Sequence, residues 1–347
     1  MKYIEKDNGC LLLVSLLLIG ISQSHAKIVF SSKRNGDTDY HIYVMEDNGS
    51  NIKRITSVDY YDQSPRWFPD GQRILFERDW GRGNGSVFNA EFYIIDVDGR
   101  NECRFMENHP TDYSPSLSPD GTQVAFMSSR RDRQSADIST YHLESGQLKR
   151  LTDNLESGAR SRRTGWSPDG RKIAYEHESK EDGDNVWIMS AHGGGKHRLS
   201  PKGPAAPLVY ARGGPRWSPS GRYIMYTEHI WRVNKGHFRG VMIRVVIQEV
   251  RTGIRRFHHF SNKDTISDGC WMGDDQTVLL PIEKEWDAPG ANYEIYRYDL
   301  VRHQLTNLTN QPGGDYDPHW ISGTLAVFPG GKLTTLWGKL KESHSDE

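Results

Sequence analysis

One short phrase returns six times along this chain, and its spacing limits the folds open to it. It reads Pro65-Arg66-Trp67-Phe68-Pro69-Asp70-Gly71, then Pro115-Ser116-Leu117-Ser118-Pro119-Asp120-Gly121, then Trp166-Ser167-Pro168-Asp169-Gly170. It returns as Pro215-Arg216-Trp217-Ser218-Pro219-Ser220-Gly221, decays to Cys270-Trp271-Met272-Gly273-Asp274, and closes as Pro318-His319-Trp320-Ile321-Ser322-Gly323. The anchors at 67, 117, 166, 217, 271 and 320 are separated by 50, 49, 51, 54 and 49 residues. A period near fifty in strand-rich sequence specifies a circular array of four-stranded blades.

Each phrase precedes a short β-branched or aromatic run, such as Ile74-Leu75-Phe76, Val124-Ala125-Phe126 or Ile173-Ala174-Tyr175. Such runs, bounded by turn residues, read as buried strands. The intervening Ser-Pro-Asp-Gly is a tight turn: proline pre-sets φ, aspartate tolerates the next position, and glycine accepts φ > 0. A third strand (Ile42-Tyr43-Val44-Met45, Val186-Trp187-Ile188-Met189) leads through a second turn to a fourth, basic one. We call the four strands a (anchor), b, c and d. The polar d strand, as in Lys53-Arg54-Ile55-Thr56, suits an outer edge, where charge blocks pairing with other chains.

The expected fold is all-β: a six-bladed propeller of four-stranded antiparallel blades over residues 27–330. Ile28-Val29-Phe30 starts as a b strand without an a strand before it, and 315–321 ends as an a strand without a partner. Pairing the two closes the ring. Thr324–Phe328 also reads as a b strand, so two segments compete for the closing slot.

Residues 1–26 read as an export signal: Lys2 and Lys6, an apolar stretch from Leu11 to Ile21 too short to span a bilayer, and small residues near Ala26. Export to a periplasmic or extracellular location is therefore expected, with no membrane-spanning segment in the mature chain. Residues 331–347 form a tail whose alternating apolar positions suit a strap across the ring. Cys103 and Cys270 fall on a d and an a strand, at opposite edges of blades, and read as unbridged. The formal net charge of −1 provides no global field for nucleic acid.

The Trp strand with its Ser-Pro-Asp-Gly turn, the Ile-Tyr-Val-Met strand, the Asn/Asp-Gly turn and the Arg-Ile/Leu-Thr strand resemble the TolB-type propeller repeat. That repeat is also called WD40-like or PD40, and the resemblance covers residues 27 to about 328. It implies a closed six-bladed ring and the binding of proteins through one face. The repeats start directly after the leader, so the α/β domain that precedes the propeller in TolB itself is not expected. Prolyl oligopeptidase-like peptidases share the repeat but carry a Gly-x-Ser-x-Gly elbow, which this sequence lacks. Oligogalacturonate lyases place a histidine-rich metal site in the channel, whereas His192, His197, His258, His259 and His319 here have no ligand spacing.

Function is expected on the end of the ring that carries the long, irregular b–c and d–a connections, because variable loops on a rigid scaffold carry recognition. Trp80, Arg82, Arg131, Tyr210, Arg212, Trp231, Arg232 and Trp286 should project there as a partner-binding face. The leading reading is a monomeric, non-catalytic binder of a protein or envelope polymer that needs no cofactor. The alternative is a glycan-active lyase or glycosidase at the channel mouth. Asp62, Asp112 and Asp315, five residues before their anchors, are its candidate channel-mouth acids, joined by Asp268 and Asp317. The turn-capping role of such aspartates competes with that assignment. Asp96-Val97-Asp98-Gly99 reads as a c–d turn rather than a calcium loop.

Overall fold

The computed structural model describes residues 27–323, apart from 35, 58–59, 81–89, 107–111, 131–134, 155–158, 180–182, 204–206 and 235–236. Six antiparallel sheets follow one another around a ring. Blade 1 comprises strands Tyr61–Trp67, Arg73–Asp79, Ala90–Asp96 and Cys103–Arg104 in the order a, b, c, d. Blade 2 runs from Asp112–Leu117 to Leu148–Arg150, and blade 3 from Arg160–Trp166 to His197–Arg198. In blade 4 the first three strands are long: Leu208–Trp217, Tyr223–Asn234 and His237–Glu249, with Arg255–His259 outside them. In blade 5 the a strand is split into Thr265–Ile266 and Cys270–Trp271, both paired to Thr277–Glu283.

The closing blade joins the two ends of the sequence. Asp315–Ile321 pairs with Lys27–Ser32, followed by His41–Glu46 and Lys53–Arg54. Ile28–Phe30 therefore holds the slot for which two segments competed. The other segment, 324–328, lies outside the described residues, as do the leader and the tail. The a strands pack in succession, and that of the closing blade lies against that of blade 1. Cys103 and Cys270 are both free, as expected.

The turn chemistry works as the sequence implies. The carbonyls of Phe68, Ser118, Ser167 and Ser218 accept the N–H of the glycine three residues on, at 2.8–2.9 Å. Those glycines have φ of 65–72°. In blades 2 and 3 the serine hydroxyl donates to the turn aspartate and accepts the N–H that starts strand b. Strand b is then buried on both faces, which explains its unbroken apolar run: Ile74–Phe76, Val124–Phe126 and Val278–Leu280 are inaccessible.

A β-bulge in strand a sets the direction of its side chains. The residue three before the anchor has positive φ at Ser64, Ser114, Arg163, Gly214 and Asp317, and the a–b register shifts there. Side chains alternate along a strand, so positions five apart would face opposite ways. The extra residue restores the phase, and Asp62 and Trp67 both meet the preceding blade. Asp62 donates its backbone N–H to Tyr40 O there at 2.8 Å, and Trp67 packs among Val29 and Ile42. Gly214 is required on a second count, because a Cβ there would lie 2.4 Å from Asp268 Oδ1.

The anchors are inter-blade wedges. Trp166 packs on Ala125 and Ile138 of blade 2 and donates its indole N–H to Ser116 O at 3.1 Å. Trp271 repeats this bond to Arg216 O at 3.0 Å. Trp166→Ala should therefore destabilise the protein by about 3–5 kcal/mol through the cavity it leaves. Urea denaturation checks this, and wild-type stability would show that the ring is not part of the core.

Candidate functional site

The three acids expected at the channel mouth are elsewhere. Asp62, Asp112 and Asp315 are fully buried in the seams between blades. Each is held by an arginine from strand b or just beyond it. Arg78 grips Asp62 with two bonds of 2.7 and 3.0 Å, and Arg34 grips Asp315 at 2.9 and 3.1 Å. Arg130 closes on Asp112 at 2.5 Å. A buried carboxylate needs a cation, and the blade supplies one.

Blade 4 carries the same device with its charges exchanged. Arg212 occupies the position of Asp62 and donates to Glu228, its register partner on strand b, at 2.5 Å. Its other bonds go to Asn185 Oδ1 at 3.0 Å and Pro201 O at 2.9 Å, while Tyr210 stacks on its guanidinium. Arg212 is thus buried, and the expectation that it projects to a partner is corrected: the guanidinium is needed to neutralise Glu228. Ser161–His177 and Ile266–Ile282 complete the series in blades 3 and 5. There a neutral hydrogen bond and an apolar pair replace the ion pair.

Of the remaining residues of the expected face, Trp80, Tyr210, Trp231, Arg232 and Trp286 are described, and each stands at the end of the ring that bears the b–c and d–a connections. In blade 4 strands a, b and c run past the other blades as an arm, with Leu208 opposite Arg232 and Asn234 opposite His237. Trp231 is half-buried on it, stacked parallel to His229 and lying over Gly240. Arg232, Val209 and Val241 are exposed on the same arm. Trp286 of blade 5 is 57% exposed and Trp80 of blade 1 is 41% exposed, the latter against Tyr60. Tyr210 is half-buried beneath Arg212. Tyr210, Trp231 and Arg232 share the arm, whereas Trp80 and Trp286 stand on other blades. Arg82 and Arg131 lie outside the described residues.

The channel holds a polar cluster built from the bulges and the positions just before the anchors. Arg163 bonds Asp268 at 3.1 Å and Glu176 at 2.9 Å, while Arg216 reaches Asp268 at 3.6 Å. Bulge N–H groups are taken up by carboxylates of the preceding blade: Ser64 by Asp317 at 3.3 Å, Ser114 by Glu77 at 3.0 Å. Burial raises the pKa of Glu77 to about 7 and raises that of Asp317. Asp268 is pulled down by Arg163 and Arg216 although burial opposes them.

From this cluster a cavity of about 320 Å³ opens at the opposite end of the ring, among the a–b turns. Arg66, Arg216, His319 and the five anchor tryptophans line it. Sequence reasoning missed these residues, although Pro-Arg-Trp occurs in phrases one and four, half a ring apart. His319 Nδ1 accepts the N–H of Trp67 at 3.0 Å. The imidazole is thus neutral, with its pKa pushed down to about 3 by burial and then by Arg66 and Arg216. Among the described residues no group of three His, Cys, Asp or Glu side chains is placed to hold a metal ion.

A family model for the TolB beta propeller domain matches residues 83–233. TolB from Acinetobacter baumannii superposes on 86% of this chain and 67% of its own, with a TM-score of 0.64 at 18% identity. Over residues 83–233 the chain matches the TolB-type propeller domain, and its six-bladed ring shares the TolB fold. The chain is also 29% identical over 158 residues to a TolB homolog of Chlorobium luteolum, covering 35% of this chain and 36% of that protein. It is 30% identical over 117 residues to an uncharacterized peptidase of Bacillus subtilis, covering 33% of this chain and 16% of the relative. It thus spans less than half the length of these curated relatives. An oligogalacturonate lyase crystallised with manganese shares the fold, with a TM-score of 0.54 at 13% identity over 82% of this chain and 73% of the lyase.

Two measurements test the chemistry of this TolB-type ring. Arg212→Ala should cost about 3 kcal/mol of stability by leaving Glu228 buried with only Arg244, as read by denaturation. A neutral result would mean that the seam pairs are not structural. His319 has a depressed folded pKa, so its contribution is complete above its ordinary value near 6.5 and is lost as pH falls toward 3. Between pH 7 and pH 5 the wild type should therefore lose about 1–2 kcal/mol more than His319→Asn, which keeps an acceptor but cannot titrate. Parallel losses would show that His319 is not held neutral.

Proposed function

We propose that this protein is an exported, non-catalytic propeller that binds a protein or envelope polymer through the end bearing the b–c and d–a connections. The observation that carries this reading is the arm of blade 4. A three-stranded extension leaves the ring and presents Trp231, Val209, Val241 and Arg232 without a covering element among the described residues. Exposed apolar area beside guanidinium groups suits a protein interface, where tryptophan and arginine dominate the binding energy. Trp80 and Trp286, the most exposed tryptophans among the described residues, stand at the same end.

Export rests on the leader read at residues 1–26. The non-catalytic reading is supported by the placement of the acids: Asp62, Asp112 and Asp315 are each buried against an arginine rather than presented to a substrate. The likeness to TolB, at 18% identity, supports the shared ring; binding a partner is our reading of the arm.

The test uses the mature chain with a photo-crosslinking residue in place of Arg232 or, separately, of Asn48 at the opposite end. Exposed to the native envelope, the first should capture a defined partner and the second should not. Trp231→Ala and Trp286→Ala should then each weaken that partner by about tenfold or more, with melting unchanged. Capture from Asn48 alone, or equal loss from both ends, would overturn the assignment.

A further inference from the structure

The cavity among the a–b turns has an electrostatic property that the loop-end reading does not use. Arg66 sits on the a strand of blade 1 and Arg216 on that of blade 4, three blades apart, so the ring sets them across the channel from each other. Each donates to the carbonyl of its own preceding proline, at 2.8 and 2.9 Å. Arg216 has Asp268 at 3.6 Å, but that carboxylate lies closer to Arg163, at 3.1 Å. Among the described residues Arg66 has no carboxylate within ion-pair distance. Burial and the facing Arg216 both work against its charge, and Asp317, Asp268 and Cys270 favour it.

Two of the five anchor indoles donate to a neighbouring carbonyl, whereas those of Trp67, Trp217 and Trp320 have no acceptor. His319 turns its one acceptor nitrogen to the Trp67 backbone. A guanidinium desolvated without a counter-charge is costly, and a bound anion would remove that cost. The cavity of about 320 Å³ is near the lower end of small-ligand sites, roughly 300–1,000 Å³. Deeper in the channel Asp268 and Asp317 supply negative charge, which disfavours a dianion.

We propose that this turn-end funnel is a binding site for a single carboxylate, held between Arg66 and Arg216 and flanked by the anchor tryptophans. A planar guanidinium matches a carboxylate with two parallel N–H···O bonds, and the indole walls suit a flat or apolar group attached to it. The carboxylate is either that of a small free acid or the terminus of an extended chain; both bring the same chemistry to the arginines. The site is independent of the arm, which stands at the other end of the ring.

The mature chain is titrated at low ionic strength with benzoate, a tripeptide ending in a free carboxylate, the same peptide amidated, and inorganic phosphate. Binding is read by calorimetry and by tryptophan emission, since five of the chain's ten tryptophans line the funnel. At least one free carboxylate should saturate the protein and raise its melting temperature. Arg66→Gln and Arg216→Gln should each weaken it by about tenfold or more, Arg66→Lys less, and Trp286→Ala not at all. Without ligand, Arg66→Gln should melt at or above the wild type, because it relieves the repulsion with Arg216; if it fails to fold, Arg216→Gln and Arg66→Lys carry the test. Saturation by the peptide but not benzoate assigns a chain end, and the reverse a free acid. No saturation by either, equal binding of the amidated peptide, or phosphate binding as tightly as the carboxylates would overturn the proposal.

Discussion

A blade in this ring has no core of its own. Its two faces are covered only by the blades on either side, and the contact is made by the large side chain near the end of each a strand. Trp166 lies on Ala125 and Ile138, and Trp67 on Val29 and Ile42, so each anchor belongs to its neighbour's core as much as to its own. Stability therefore passes from blade to blade, and a break anywhere would expose two apolar faces and two strand edges. Pairing Lys27–Ser32 with Asp315–Ile321 removes that break and fastens the end of the ring to its beginning.

The bulge in strand a gives this packing a second layer. By restoring phase over five residues it points a polar side chain into the seam that the anchor fills. A buried charge there must be paired, and five of the six blades meet the requirement with polar groups: Asp62 with Arg78, Asp112 with Arg130, Asp315 with Arg34, Arg212 with Glu228, and Ser161 with His177. Exchange of the charges in blade 4 shows that the fold requires neutrality at this position, not a particular acid. It also explains why Arg212 is unavailable to a partner even though it lies in a long strand that reaches the loop end.

The two ends of the ring consequently differ in chemistry. At the loop end, strand length is free to vary because nothing among the described residues packs beyond the rim, and blade 4 uses that freedom for an arm. At the turn end blades 1 to 4 share the same tight a–b turn, and variety is left to the residue before each anchor: Arg66, Ser116, Gly165, Arg216, Cys270 and His319. Those six positions converge around the channel, so small differences between repeats become a composed surface with two guanidiniums across it.

The repeat itself was legible without coordinates: the spacing of the anchors, the Pro-Asp-Gly turns and the apolar b runs depend on contacts within about fifty residues, which local periodicity encodes. The lone b strand at Ile28–Phe30 and the lone a strand at 315–321 also announced closure. What the sequence could not reveal was direction. Whether Asp62 looks into the channel or a seam depends on one extra residue at Ser64, because alternation reverses every side chain beyond a bulge. Nor does proximity in sequence bear on Arg66 and Arg216, 150 residues apart. Only the closed ring decides that they face each other, because angular position around a circle is fixed by the packing of all six blades together.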